Sequence, residues 1–180
     1  EQHIYKKGIY KRIKEKLSTK SGVNSATFSA GFKYYVINNS SANTPASFVL
    51  YNTKGKEIRT LVDNAALQRT LETYDLTPKE FFTFENTNGD ELNCWMIKPA
   101  NYDVSKKYPV YVNIYGGPGH NTVMDSFDGR NYLWHQLLSQ AGYYVISCDP
   151  RGTMFRGKEF FHSTYLQLGK NETEDFIDLA

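Results

Sequence analysis

The stretch that decides the fold is YPVYVNIYGGPG, residues Tyr108–Gly119. Its first part, Tyr108–Tyr115, is a nearly unbroken apolar run, which is typical of a strand covered on both faces of a sheet. Gly116–Gly119 then ends the strand abruptly, because glycine and proline favour tight turns. We therefore predict a central strand of an α/β sheet with a loop at its carboxyl end.

After this strand the pattern alternates between helix and strand. Tyr132–Gln140 carries a leucine stripe at helical spacing (Leu133, Leu137 and Leu138), and Gly142 follows as a helix-ending residue. The remaining predicted elements are one buried strand and two helices: Tyr143–Cys148, Gly157–Tyr165 and Asn171–Ala180. Strands that alternate with helices in this way indicate an α/β sheet.

Before the deciding stretch, short aromatic and β-branched runs alternate with turn residues. This pattern predicts antiparallel strands from a sandwich or a propeller. The predicted strands of this region are His3–Gly8, Lys11–Leu17, Asn24–Ser29, Lys33–Asn38, Ser47–Asn52 and Glu57–Leu61. A short helix, Ala65–Tyr74 with Asp63-Asn64 at its N-cap, and a hairpin of Phe81–Phe84 with Glu91–Ile97 follow. The chain therefore changes from β to α/β structure somewhere in residues 63–80.

Composition excludes several classes of protein. Of the 180 residues, 40% are hydrophobic and 22% are charged, which is typical of a globular chain and excludes wholesale disorder. The net charge of +2 predicts no general affinity for nucleic acid. No apolar stretch approaches the roughly 18 residues that a transmembrane helix needs. Cys94 and Cys148 have no CxxC spacing and are most simply small buried hydrophobes, with a disulfide or a metal site as the alternative.

The glycine loop Gly116–Gly119 is the strongest candidate for chemistry. Ligands bind at the carboxyl ends of strands in open α/β sheets, and a loop of this kind supplies an oxyanion donor in α/β-hydrolases. A tight turn without chemistry explains the same residues equally well. The sequence contains no G-x-S-x-G, so no nucleophile can be placed, and the four histidines are poor candidates for a catalytic base. His120 is the one nearest the loop.

Other polar residues have structural explanations. Arg151, after the second buried strand, is expected to brace its loop rather than to bind a carboxylate ligand. Glu172, Glu174 and Asp175 are expected to complement the dipole of the last helix. No residue grouping has the spacing of a metal site, a phosphate loop or a dinucleotide fingerprint, so we predict no metal and no cofactor.

Three motifs occur in a recognisable order. They are Tyr108–Gly119, then DPRGTMFRG at Asp149–Gly157, then LGKNETEDFI at Leu168–Ile177. In this order they resemble the prolyl oligopeptidase family of serine peptidases, and in particular the bacterial form of its dipeptidyl peptidase IV subfamily. Upstream segments fit the same subfamily: Asn24–Tyr35, Asn43–Pro45, Asp63–Leu67 and Glu91–Asn101. Thr153–Arg156 departs from the family pattern and receives no binding role.

The resemblance implies a two-domain parent. Residues 1–63 are expected to be the last strands of a β-propeller, 64–79 a connecting segment, and 80–180 the first part of an α/β-hydrolase domain. The family releases N-terminal dipeptides that have Pro or Ala in second position. Tyr115 matches its oxyanion-hole tyrosine, whose hydroxyl assists a backbone N–H in holding the tetrahedral intermediate.

The resemblance also implies what this chain lacks. The family's serine elbow is expected after the last helix, and its substrate-gripping glutamates in an earlier propeller segment. We therefore expect an internal fragment that is inactive alone. There are two alternatives: an acylaminoacyl-peptidase or esterase of the same fold, and a non-catalytic interaction module. The expected partner is a peptide substrate, with no nucleic acid and no membrane span; a homodimeric parent and a periplasmic or secreted location are suggested by the resemblance alone.

Overall fold

The computed structural model describes residues 1–10 and 12–180. Lys11, the first residue of the predicted strand Lys11–Leu17, lies outside the described residues. The chain divides into two compact units. The first unit comprises Glu1–Asp75 with Met124–Tyr132, and the second comprises Leu76–Val123 with Leu133–Ala180. The domain bounds predicted at 1–63, 64–79 and 80–180 stay predictions.

The first unit is built from antiparallel strands. A two-stranded sheet pairs β1 with β2, and a four-stranded sheet runs in the order β3-β4-β5-β6, so each strand pairs with its neighbour in sequence. The strands are β1 (Tyr5–Lys7), β2 (Lys14–Lys16), β3 (Val23–Phe28), β4 (Tyr34–Ser41), β5 (Thr44–Asn52) and β6 (Glu57–Val62). The four strands predicted within residues 24–61 are confirmed, whereas β1 and β2 are shorter than expected.

An aromatic row fixes the register of this four-stranded sheet. Tyr35 lies opposite Phe28 on one side and opposite Tyr51 on the other. The ring centroids of Phe28 and Tyr35 are 5.3 Å apart, and those of Tyr35 and Tyr51 are 5.4 Å apart and stacked. Each cross-strand aromatic pair contributes about 0.2–1 kcal/mol to the stability of a sheet. A slip by one residue would move Tyr35 from the core to the opposite face.

Helix α1 (Ala65–Leu71) is shorter than predicted, and Asn64 is its N-cap residue, as predicted. The Asp63 carboxylate accepts a hydrogen bond from the Ala65 N–H at 3.0 Å. Asn64 adopts a left-handed conformation and makes no capping bond with its side chain. The helix ends in tight turns, in which the Thr73 and Tyr74 N–H groups donate to carbonyls three residues earlier.

The second unit contains a four-stranded mixed sheet in the order β7-β8-β10-β9. The strands are β7 (Lys79–Glu85), β8 (Glu91–Ile97), β9 (Val110–Val112) and β10 (Tyr144–Asp149). Strand β8 is antiparallel to β7 and β10, whereas β9 and β10 are parallel. The helices are α2 (Arg130–Gln140), α3 (Lys158–His162) and α4 (Lys170–Leu179). The strand–helix–strand connection through β9, α2 and β10 confirms the predicted α/β signature.

The core of this unit lies on the two faces of its sheet. On one face, Leu92, Cys94 and Cys148 pack against phenylalanines and a leucine from β7, α3 and α4, namely Phe82, Phe84, Phe160, Phe176 and Leu179. On the other face, Trp95, Ile97 and Val145 pack against Tyr111, Val123 and Leu138. The alternation of side chains along β8 and β10 supplies both clusters from the same two strands.

The predicted central strand Tyr108–Tyr115 is wrong in position and length. Strand β9 covers only three residues and pairs only with β10 among the described strands, at the edge of the sheet. The side chains of Val110, Val112 and Ile114, which alternate along the chain with the packed Tyr111, are exposed. The apolar run predicts a strand covered on both faces, but no described element covers these three side chains.

The predicted leucine stripe of α2 is also wrong. Leu133 and Leu137 are exposed, whereas Gln136 and Ser139 are buried, and only Leu138 joins the core. The Gln136 amide donates to the Thr77 carbonyl at 2.6 Å and accepts from the Thr77 N–H at 2.9 Å. The Ser139 hydroxyl donates to the Lys98 carbonyl at 2.8 Å. The helix buries polar side chains because they satisfy main-chain groups that would otherwise lack partners.

Candidate functional site

The loop after β9 is held at its first residue by strand β10. The Asn113 N–H donates to the Ile146 carbonyl at 2.8 Å, and the Ser147 hydroxyl donates to the Asn113 carbonyl at 2.6 Å. These bonds continue the parallel pairing of the two strands by one residue. The loop therefore leaves the sheet at a fixed point two residues before Tyr115.

Asp149, the last residue of β10, holds the other end of the loop. Its Oδ1 accepts hydrogen bonds from the N–H groups of Thr122 at 2.7 Å and Val123 at 3.2 Å, and from the Thr122 hydroxyl at 3.1 Å. Its Oδ2 accepts from the Asn121 amide at 2.8 Å. A carboxylate that accepts several hydrogen bonds makes each of them stronger than a bond between neutral groups.

Tyr115 stands between these two anchors and is open to solvent. Its side chain is 61% exposed. A β-carbon at position 117 would lie 3.4 Å from Cε1 of Tyr115, so the backbone of Gly117 lies against the ring. Gly116 and Gly119 both have positive φ angles, a conformation that favours glycine. Within the described part of the chain, the Tyr115 hydroxyl has no hydrogen-bond partner and is available to an incoming group.

His120 packs on Tyr115. The two ring centroids are 4.8 Å apart with an angle of 58° between the planes. This contact, together with Gly117, limits the directions in which the phenol can point. The structure thus brings together Tyr115 and His120, the two residues that the sequence placed near the glycine loop, and gives His120 a contact with the ring rather than with the hydroxyl.

Arg151 braces its surroundings, as predicted. Its guanidinium contacts Asp175 at 2.9 Å and Glu174 at 3.0 Å, both on α4, and lies 3.8 Å from Asp90 of the β7–β8 turn. Burial lowers the pKa of Arg151, but the hydrogen bonds with Asp175 and Glu174 outweigh burial and raise the pKa overall. The arginine therefore stays charged and serves as a junction of three segments.

Sequence reasoning missed the part played by the acids of α4. Only Glu172 lies in the first turn of the helix, where its Oε2 accepts from the Gly169 N–H at 2.9 Å. Asp175 is fully buried and accepts from Arg151 and from the Asn86 amide, the latter at 2.8 Å. The pairing of Arg151, in the loop after a buried strand, with an acid on α4 is a contact between distant segments, and a single sequence gives no signal for it.

We expect Asp149→Asn to lower the free energy of unfolding by about 2–3 kcal/mol. The substitution replaces one carboxylate oxygen, which accepts hydrogen bonds from the loop, with an NH₂ group that faces the same N–H donors. Urea titration measures the loss, and hydrogen exchange at the Thr122 and Val123 amides should speed up. Asp103→Asn is the matched control, since the side chain of this aspartate is 44% exposed and contacts Ser105 and Lys106 of its own turn. Equal losses for the two variants would contradict the anchoring role.

Among the described residues, no three His, Cys, Asp or Glu side chains come together in a manner that would hold a metal ion. None of the helices formed by the described residues has the length and apolar character required to cross a bilayer.

Comparison with known proteins identifies relatives of this chain. The family model described as "Prolyl oligopeptidase family" matches residues 125–180. A probable dipeptidyl peptidase 4 from Emericella nidulans is 35% identical over 159 residues, which cover 87% of this chain and 20% of the relative. A human prolyl endopeptidase FAP is 34% identical over 154 residues, covering 84% of this chain and 20% of the relative. The chain thus spans about a fifth of the length of these relatives.

A solved structure agrees with the sequence relatives. The crystal structure of Porphyromonas gingivalis dipeptidyl peptidase 4 superposes with a TM-score of 0.87 and 41% identity, over 92% of this chain and 23% of the other. This likeness confirms the predicted fold class, in which β structure of the propeller end precedes the first part of an α/β-hydrolase domain. The chain belongs to the prolyl oligopeptidase family and is similar to its dipeptidyl peptidase 4 members.

Proposed function

We propose that this chain is part of a serine-type exopeptidase that releases N-terminal dipeptides with Pro or Ala in second position. The observation that carries the proposal is the position of Tyr115. It stands in a loop anchored at both ends, exposes an unpartnered hydroxyl, and belongs to a chain that is 41% identical to a solved dipeptidyl peptidase 4. A peptide is the substrate class that follows.

In this proposal Tyr115 acts as an oxyanion donor. When a nucleophile attacks the scissile carbonyl, the oxygen becomes an anion, and a positioned hydroxyl stabilises it more than it stabilises the neutral carbonyl. The anchors at Asn113 and Asp149 keep the donor in place before the reaction, which avoids reorganisation during it. Removal of one such donor costs about 10²–10³-fold in kcat in comparable enzymes.

The nucleophile, base and orienting acid are not assigned to this chain. Its sequence contains no G-x-S-x-G, and the oxyanion donor alone does not cleave peptides at a useful rate. We therefore propose that the chain by itself has no peptidase activity. A periplasmic or secreted location and a homodimeric state belong to the same proposal and rest on the family resemblance.

The test uses a longer protein that contains this chain and the remaining length of its relatives. Two chromogenic substrates are compared, Gly-Pro-p-nitroanilide and its N-acetylated form, because only an enzyme that requires a free amino terminus distinguishes them. We expect hydrolysis of the free-amine substrate, none of the acetylated one, and none of either by the 180-residue chain. Equal turnover of the acetylated substrate would favour an endopeptidase or an acylaminoacyl-peptidase. Turnover by the chain alone would overturn the assignment of the missing residues.

A further inference from the structure

The two cysteines of the chain lie directly opposite each other on neighbouring strands. Cys94 of β8 is the register partner of Cys148 of β10 in antiparallel pairing. Both are free thiols, and each is only 1% exposed. Since side chains of directly opposite residues point to the same face, both sulfurs enter the same core cluster beside Leu92.

The geometry of such a pair suits a disulfide. Directly opposite residues in antiparallel strands have Cα atoms about 4.5–5.5 Å apart, and disulfides bridge Cα atoms about 4.4–6.8 Å apart. Cys94 and Cys148 also pack in one buried cluster. The two side chains are therefore already neighbours, and we expect bond formation to need a side-chain rotation rather than a movement of the strands.

We propose that Cys94 and Cys148 form an intramolecular disulfide when the chain folds in the presence of a small disulfide oxidant such as oxidised glutathione. One protein thiolate attacks the oxidant, forms a mixed disulfide and releases one glutathione thiolate. The second protein thiolate then attacks the protein sulfur of the mixed disulfide and releases the other. Two protein thiols are oxidised, one oxidant disulfide is reduced to two glutathione thiols, and the two protons pass to these products.

The folded chain protects the pair from this reaction. Interaction with the neighbouring Cys94 thiol and the burial of the site raise the pKa of Cys148, so little thiolate is present in the folded state. The phenylalanines of the same cluster, Phe82, Phe84, Phe160 and Phe176, exclude the oxidant. Oxidation is therefore expected while β8 and β10 are apart, during folding or transient opening, and slow once the sheet has closed.

The bond would close a loop that carries the candidate site. The segment between Cys94 and Cys148 contains β9, the glycine loop with Tyr115, and α2. Both ends of this segment would be tied at the centre of the sheet. The inference does not depend on the proposed peptidase activity, because it rests on strand register and thiol contact alone.

The test measures the effective concentration of one thiol toward the other in forming the disulfide, once with native structure present and once without it. The chain is equilibrated with mixtures of oxidised and reduced glutathione in buffer and in concentrated urea. Free thiols are then alkylated, and peptides are mapped by mass spectrometry. We expect a peptide joining Cys94 to Cys148, lighter by two hydrogens, and an effective concentration at least about tenfold higher in buffer than in urea, because native structure holds the thiols together.

Cys94→Ala and Cys148→Ala should each give a mixed glutathione adduct at the remaining cysteine and no intramolecular bond. An effective concentration that is equal or lower in buffer than in urea would overturn the proposal, since the native structure would then oppose the bond. Disulfides joining two chains, with no internal pair, would overturn it as well.

Discussion

Replacement of Asp175 by alanine is expected to lower the free energy of unfolding by about 3–5 kcal/mol, the range for removing one partner of a buried ion pair. Asp175 is fully buried, and its partner Arg151 has a side chain only 11% exposed. The variant would leave the guanidinium in the interior with weaker partners, Glu174 and Asp90, of which the latter lies 3.8 Å away.

The loss should exceed that of one ion pair at the surface. Asp175 also accepts hydrogen bonds from the main-chain N–H of Arg151 at 2.7 Å and from the side-chain amide of Asn86 at 2.8 Å. In the variant, these two donors would lose their acceptor as well. Each unsatisfied buried group carries a desolvation cost of about 1–3 kcal/mol. Because Arg151, Asn86 and Asp175 belong to three segments, the loop after β10, the β7–β8 turn and α4 should loosen together.

Urea titration of the variant and of a neighbouring control separates this explanation from a general effect of charge. Glu174→Ala removes the same charge from the same helix and breaks another contact of Arg151, but the Glu174 side chain is 43% exposed. We expect a loss of about 1 kcal/mol or less for it, as for other exposed pairs. Similar losses for the two variants would show that Arg151 does not depend on the buried partner.

Replacement of Trp95 by alanine is expected to cost about 3–5 kcal/mol, the range for removing a large aromatic side chain from a core. Trp95 is 1% exposed and packs with Ile97 and Val145. Its indole N–H donates to the Thr122 carbonyl at 3.1 Å, and the Lys79 ammonium lies 4.4 Å from its ring centroid. The substitution therefore creates a cavity and also leaves the loop carbonyl at Thr122 without its donor.

The chain's second tryptophan provides the matched control for this prediction. Trp134 lies on α2 and is 48% exposed, and alanine is the strongest helix former, so Trp134→Ala should change stability by less than about 1 kcal/mol. Each variant retains one tryptophan, so fluorescence follows unfolding of both in urea. A loss at Trp134 equal to that at Trp95 would contradict the division into buried and exposed rings.

Elements with a strong local pattern could be predicted from the sequence. The strands around Phe28, Tyr35 and Tyr51 alternate aromatic and β-branched residues with turns, and the structure confirms them within a few residues. The second buried strand is also predicted well, since the run Tyr143–Cys148 is mostly apolar and is flanked by Gly142 and Pro150. In these segments local preference and tertiary environment favour the same structure.

Segments whose environment is set by distant groups could not be predicted in this way. The apolar run before Tyr115 gives a strand, but the sequence does not show which side of the sheet is covered, and β9 lies at an edge. In α2 the leucines are exposed because Gln136 and Ser139 satisfy main-chain groups at Thr77 and Lys98. Those partners lie about forty to sixty residues away in sequence, beyond the reach of helical periodicity.

The candidate site was only partly accessible from residue patterns. The glycines of Gly116–Gly119 fit a bare turn as well as an oxyanion loop, and the family resemblance was needed to single out Tyr115. The anchoring role of Asp149 was not predicted, although an aspartate at the end of a buried strand is a signal for it. Such a carboxylate is costly to bury unless nearby donors satisfy it, and here Asn121, Thr122 and Val123 supply them.

The most direct test of the account is the turnover number of Tyr115→Phe in the longer protein that carries this chain, measured with Gly-Pro-p-nitroanilide. Removal of the hydroxyl alone should lower kcat by about 10²–10³-fold with little change in KM, because the donor acts on the transition state. Tyr111→Phe is the control, since it removes the same group from a ring of β9 that packs against the core, four residues before Tyr115. Loss of kcat in Tyr115→Phe alone is the predicted result, and a kcat unchanged from that of the parent protein would contradict the account.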